Sequence, residues 1–245
     1  MADRLLDECA QPGLATVVGP LRVAEPILGA SVPDRRVPVP SGLGQPPEPP
    51  VQETCRAGGI QHAQPGQTLL IRGGTSSVGM ATAILAKDRG LTVVSTTRQP
   101  DRLAALQAIG VDHVLLDDGE VAAQARAIVP DGVEAAIELV GTNTLPDTLR
   151  ATAVHGVVCF TGMLSNQWTV ADFYPIEYIP TGVRLTAYGG DAADLPIDVL
   201  QAYLDAVAAG RLTLPIDRTY TLDQITQAHA DMEHGRATGK LVVLP

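Results

Sequence analysis

The run Gly74-Thr-Ser-Ser-Val-Gly79 brings together residue types suited to holding a phosphate. Small residues here let backbone amides at a helix N-terminus reach phosphate oxygens with no Cβ in the way. The run is a G-x-S-x-x-G form of the dinucleotide fingerprint. Ser76 stands where the second glycine usually lets the backbone approach a pyrophosphate, and its hydroxyl can donate to phosphate itself. Glycine turns also close ordinary strand-to-helix units, so the motif gains weight from its setting. It follows a short apolar run, Thr68 to Ile71, and precedes good helix formers from Met80 to Arg89 that stop at Gly90.

A second group is Ser95-Thr-Thr-Arg98 at the end of the next aliphatic run. An acid at this place would hold the ribose 2′-hydroxyl of NAD, and none is present. Arg98 suits a 2′-phosphate instead, so NADP(H) is favoured over NAD. The missing acid also counts against an S-adenosylmethionine site. The plainer reading of Arg98 is a solvated loop charge.

Other candidates carry less. Cys159, inside Val157-Val-Cys-Phe160, reads as a small buried hydrophobe rather than a nucleophile. His229 is placed on the apolar face of the last helix, and His62, His113, His155 and His234 have no Cys or carboxylate at ligand spacing, so no metal site is expected. Asp117-Asp118 before Gly119 reads as loop and helix cap and is given no chemistry. Trp168 and Phe173 fit a pocket wall or packing equally well. No Tyr is followed four residues later by Lys, which disfavours short-chain dehydrogenases and sugar epimerases. No catalytic acid or base can be named.

The elements that must position these groups follow from composition and pattern. The chain has 245 residues, 45% apolar and 18% charged, enough for a sizeable core. Aromatics are only 3% against 24 Gly and 19 Pro, which points to aliphatic, small-residue packing as in alternating strand and helix folds. Net charge −10 offers no general footprint for nucleic acid or an anionic membrane. Three separated cysteines without C-x-x-C, a charged start and no long apolar stretch point to a reducing, cytoplasmic setting.

Ten of the 19 prolines lie in residues 1–50, so residues 1–56 read as an irregular or disordered leader. From Gln64 onward, strands are expected at Thr68 to Ile71, Leu91 to Thr96, His113 to Leu116, Gly132 to Val140, Gly156 to Thr161 and Val183 to Tyr188. Helices are expected between them, including Val121 to Ile128 and Thr144 to Thr152. This rhythm predicts an α/β fold with a doubly wound parallel sheet over residues 57–210. Leu200, Tyr203, Leu204 and Val207 then make a helix face expected to cover the sheet. In the tail, 211–245, Thr221 and Gln224 form a capping box, Ile225, Ala228, His229 and Met232 make one helical face, and Leu241 to Leu244 is a strand.

Taken together, Gln64 to Gly79, Ser95 to Arg98, Ile137-Glu-Leu-Val-Gly141, Ile179 to Thr186 and Gly239 to Val243 resemble the medium-chain dehydrogenase/reductase superfamily, in its zinc-independent quinone oxidoreductase branch. The resemblance runs from about Ala57 to Pro245. It implies a Rossmann domain and a barrel-like, GroES-like substrate domain that is incomplete here. It also implies hydride transfer from NADPH to a quinone, enone or enoyl-type acceptor, without zinc. By that similarity Gly74, Thr75, Ser76, Ser77, Val78 and Gly79 hold the pyrophosphate, and Thr97 and Arg98 the adenosine phosphate. Val140 and Gly141 hold the ribose region, and Gly162 and Met163 the nicotinamide amide. The strand near Val183 to Tyr188 is the edge through which relatives pair into homodimers.

Two departures from the family pattern stand out. Leu116-Asp117-Asp118 replaces a frequent 2′-phosphate Tyr after the third strand. Nothing in Met1 to Cys55 resembles the front strands of the substrate domain, which implies a truncated, shifted-frame or diverged N-terminus and leaves the terminal strand, Gly239 to Leu244, without its usual neighbours. The alternative to an NADPH-dependent oxidoreductase is therefore an NADPH-binding protein without turnover.

Overall fold

Short aliphatic runs buried on both sides need cover on both faces, and here they form a wholly parallel sheet. The computed structural model describes residues 63–190 and 197–245; the expected leader lies outside the described residues. Strand β1 (Thr68–Arg72) is buried at every position and leads through the glycine turn into α1 (Ser77–Asp88). Then come β2 (Thr92–Thr97), a 3₁₀ turn running into α2 (Leu103–Ala108), β3 (His113–Leu116) and α3 (Val121–Ile128). The second half holds β4 (Val133–Glu138), α4 (Leu145–Ala151), β5 (Thr152–Phe160), a single turn α5 (Pro175–Tyr178) and β6 (Arg184–Ala187).

The sheet order is β3-β2-β1-β4-β5-β6, the doubly wound arrangement, which reverses between β1 and β4. Met80, Ala83 and Ala86 of α1 and Leu106 of α2 pack on one face with Leu69, Ile71, Val93 and Ile137. On the other face Val121 and Ala125 of α3 and Leu145 and Leu149 of α4 pack with Leu70, Val94, Ala136 and Val158. Cys159 is buried within β5.

Two compact units are present among the described residues: 63–215 with 238–240, and 216–237 with 241–245. In the second, β7 (Ile216–Thr221) pairs with β8 (Lys240–Leu244), with α7 (Ile225–Glu233) between them in sequence. The Thr221/Gln224 capping box is present, at the head of a 3₁₀ turn that leads into α7.

Four details differ from the sequence expectations. Strand β8 has a neighbour, β7, which the pattern hid because only Tyr220 of its residues is buried. His229 is exposed, and the buried polar residue of α7 is Asp231. Its carboxylate accepts from Tyr220 Oη at 2.7 Å, Arg236 Nη1 at 2.8 Å, Arg218 Nη1 at 2.9 Å and Gln227 Nε2 at 3.0 Å. Helix α6 (Ile197–Ala208) leaves Leu200 and Leu204 exposed and buries Ala206, so its inner face is rotated from the one expected. Finally, β5 begins at Thr152 rather than Gly156, because a register irregularity and a left-handed His155 (φ 68°) let the chain enter the sheet early.

Candidate functional site

The carboxyl ends of β1, β2 and β4 meet at a cleft of about 80 Å³. This is the switch point of the sheet, where ligands bind in open α/β folds. Gly73, Thr75 and Ser76 line it from the turn, Thr96, Thr97 and Arg98 from the end of β2, Asp117 from beyond β3, and Val140, Leu164 and Ser165 from the far wall.

The turn is built from backbone that only glycine permits. Gly73 has φ +86°, and its N–H donates to Thr96 Oγ1 at 3.1 Å while the Gly74 N–H donates to the Thr96 carbonyl at 2.9 Å. A Cβ on Gly74 would fall on the side chain of Ser95. One on Gly79 would lie 2.6 Å from the Gly73 carbonyl oxygen, so α1 could not approach the turn. Ser76 caps α1, its hydroxyl oxygen accepting from the Gly79 N–H at 3.0 Å; the hydroxyl proton stays available to a ligand.

Of the residues expected to hold a dinucleotide, Thr75, Ser76, Thr97, Arg98 and Val140 line the cleft. Gly74 and Gly79 form the packed backbone of the turn, while Ser77 and Val78 open α1, with Val78 exposed. Gly141 follows Val140 at φ +145°. Gly162 and Met163 stand outside the lining, and Leu164 and Ser165 occupy the wall instead. Gly162 serves close packing, since a Cβ there would come 2.7 Å from the Leu139 carbonyl oxygen. Trp168 and Phe173 are exposed, and Phe173 sits edge-on to Tyr178 at 4.9 Å.

Sequence reasoning missed the charges beneath the cleft. Arg72, the last residue of β1, is wholly buried. Its Nε and Nη2 donate to Asp117 Oδ2 and Oδ1 at 2.6 and 2.8 Å, and its Nη1 donates to Asp147 Oδ2 at 2.6 Å. Burial opposes the guanidinium charge, yet the two carboxylates more than offset this and hold its pKa above the ordinary value. Asp147 also accepts from the Ala122 N–H at 3.2 Å, so one guanidinium joins β1, the loop after β3, α3 and α4. Asp117 is therefore more than the loop acid it was read as. Asp118 closes the turn ahead of α3, accepting from the Glu120 N–H at 3.0 Å, but α3 has no side-chain cap.

Beside Arg72 in the sheet register lies Glu138, also wholly buried. Its Oε1 accepts from the N–H groups of Val140 at 2.7 Å and Gly141 at 3.1 Å and from Thr144 Oγ1 at 3.0 Å. Its Oε2 accepts from Thr148 Oγ1 at 2.6 Å. Burial pushes this carboxyl above the ordinary value despite those donors. Glu138 thus fixes the turn that carries Val140 into the cleft. The signal was a charged residue closing each of two apolar strands, and only the register shows that they adjoin.

Fold and sheet order together are those of a Rossmann-type α/β protein. The sequence profile of the zinc-binding dehydrogenases matches residues 109–243, and the chain belongs to that family, on the quinone oxidoreductase-like branch of the medium-chain dehydrogenase/reductases. The mouse (Mus musculus) quinone oxidoreductase is 26% identical over 204 residues, covering 80% of this chain and 60% of that protein. Among solved structures, AibC superposes with TM-score 0.67 at 26% identity, covering 78% of this chain and 52% of that one. A mycobacterial protein complexed with NADPH superposes with TM-score 0.65 at 24% identity, covering 76% of this chain and 58% of that one. The chain spans 53 to 60% of the length of the first curated relatives it matches.

Among the described residues no three His, Cys, Asp or Glu side chains stand together as metal ligands, so none is assigned to zinc. No described helix is long and apolar enough to cross a membrane.

Proposed function

We propose that the chain binds NADPH in this cleft and serves hydride transfer to a small activated acceptor of the quinone, enone or enoyl class. The observation that carries this reading is the glycine turn at the N-terminus of α1 facing Arg98 across one cleft at the sheet's switch point. The turn amides and the Ser76 hydroxyl receive the pyrophosphate, and Arg98 pairs with the 2′-phosphate. Val140 and Gly141 border the ribose, while Gly162 and Met163 lie toward the nicotinamide. When bound, the nicotinamide supplies the hydride. The protein's part is positioning and the exclusion of water, with no side chain assigned as acid or base.

The names of relatives support the acceptor class: a quinone oxidoreductase in mouse and a 2-haloacrylate reductase in a Burkholderia species, the latter 25% identical over 194 residues. The NADPH complex of the mycobacterial neighbour supports the cofactor. Strand β6, at the sheet edge, is the proposed surface for pairing of two copies, and the cytoplasm the proposed location.

Fluorescence titration with NADPH and NADH, beside Arg98→Ala, tests the cofactor. Tighter NADPH binding that is lost in the variant is the expected result, and equal affinities for the two dinucleotides would refute the assignment of Arg98. A panel of quinones and enones tests turnover, and NADPH binding with no oxidation above background would leave a binding protein in place of an enzyme.

A further inference from the structure

Asp117 is the one carboxylate among the residues lining the cleft. Its backbone N–H donates to the Thr97 carbonyl at 2.8 Å, which sets it directly beside the Thr97-Arg98 pair. A ribose whose 2′-phosphate is held by Arg98 carries its base on the adjoining carbon, so the purine must occupy this same part of the cleft. Among the residues lining that part, Asp117 offers the purine an edge partner.

The chemistry of that edge is selective. A carboxylate only accepts, whereas the hydroxyls that line the rest of the cleft both donate and accept. Asp117 Oδ1 takes two donors, Arg72 Nη2 and the Gly119 N–H, while Oδ2 takes one, Arg72 Nε. Oδ2 therefore keeps acceptor capacity in an orientation that the bidentate Arg72 fixes. Pairing with a buried guanidinium also compensates the charge, so Asp117 does not set a bare anion beside the phosphate held by Arg98.

We infer that Asp117 reads the purine, its carboxylate accepting a hydrogen bond from the exocyclic 6-amino group of adenine. The inference rests on the dinucleotide reading of the cleft and adds base selectivity to it. A purine with oxygen at position 6 sets lone pair against lone pair at Asp117.

The test is the affinity of the full chain for NADPH against its 6-oxo analogue, reduced nicotinamide hypoxanthine dinucleotide phosphate. The analogue should bind at least fivefold more weakly, and a smaller difference overturns the inference. In Asp117→Asn the amide can turn its NH2 toward a 6-oxo group, so the preference should vanish or reverse; a folded variant that keeps the full preference also overturns it. Should that variant fail to fold, the comparison on the unaltered protein still decides. Failure of both dinucleotides to bind would instead bring down the dinucleotide reading itself.

Discussion

Replacing Arg72 with Met removes the buried charge that joins two carboxylates and keeps only an unbranched apolar stem. Arg72 is wholly buried, and the side chains of Asp117 and Asp147 are 7% and 9% exposed. Removing one partner of such a cluster costs about 3–5 kcal/mol, because the charges left behind are neither solvated nor paired. Some compensation survives: Asp147 keeps the Ala122 N–H and the exposed Arg150, and Asp117 keeps the Gly119 N–H. The lower end, about 3 kcal/mol, is therefore expected. For a chain of this size that lowers the melting temperature by about 6–12 °C. Thermal unfolding followed by circular dichroism measures it. Adding Asp117→Asn and Asp147→Asn to the Arg72→Met variant should recover part of the loss. A gap below about 1 kcal/mol, the range of an exposed pair, would refute the reasoning.

Gly79→Ala places a methyl group 2.6 Å from the Gly73 carbonyl oxygen, a backbone atom with no rotamer to yield. A loss of about 1–3 kcal/mol is expected, and NADPH affinity should fall at least tenfold as α1 withdraws from the turn; unchanged melting and titration curves would exclude this packing. Burial raises the Glu138 pKa above its ordinary 4.5, so its contribution to stability is greatest when protonated and is lost as pH rises through the elevated folded value. Glu138→Gln stays neutral, and its melting temperature should gain on wild type as pH rises above the ordinary carboxyl value, whereas a flat difference would show that the buried carboxyl carries no such penalty.

Much of the fold was legible locally. The apolar runs around Leu70, Val94 and Ile137, with glycines at their ends, carry the period of buried strands and short helices, and Ser76 with Gly79 marks the capped turn. Of the cleft, Thr75, Ser76 and Arg98 could be named from their offsets to a strand end, and Thr97 and Val140 from the family resemblance. Leu164 and Ser165 could not, since the loop after β5 carries no periodicity to say which residues turn inward. Strand β7 escaped because a two-stranded pair with one buried residue has no apolar alternation to detect.

By itself the sequence determined the strand-turn-helix rhythm, the need for small residues between Gly74 and Gly79, and the absence of an acid within the segment Ser95 to Arg98 that ends β2, because each depends on sterics or charge within a few residues. Tertiary structure alone decided that Arg72 and Glu138 are neighbours, that Asp117 and Asp147 converge on one guanidinium from 45 and 75 residues away, and that Asp231 rather than His229 is the buried polar group of α7. A buried charge is tolerated only where partners meet it, and those partners come from different strands and helices. Their meeting is set by sheet register, which no local spacing encodes.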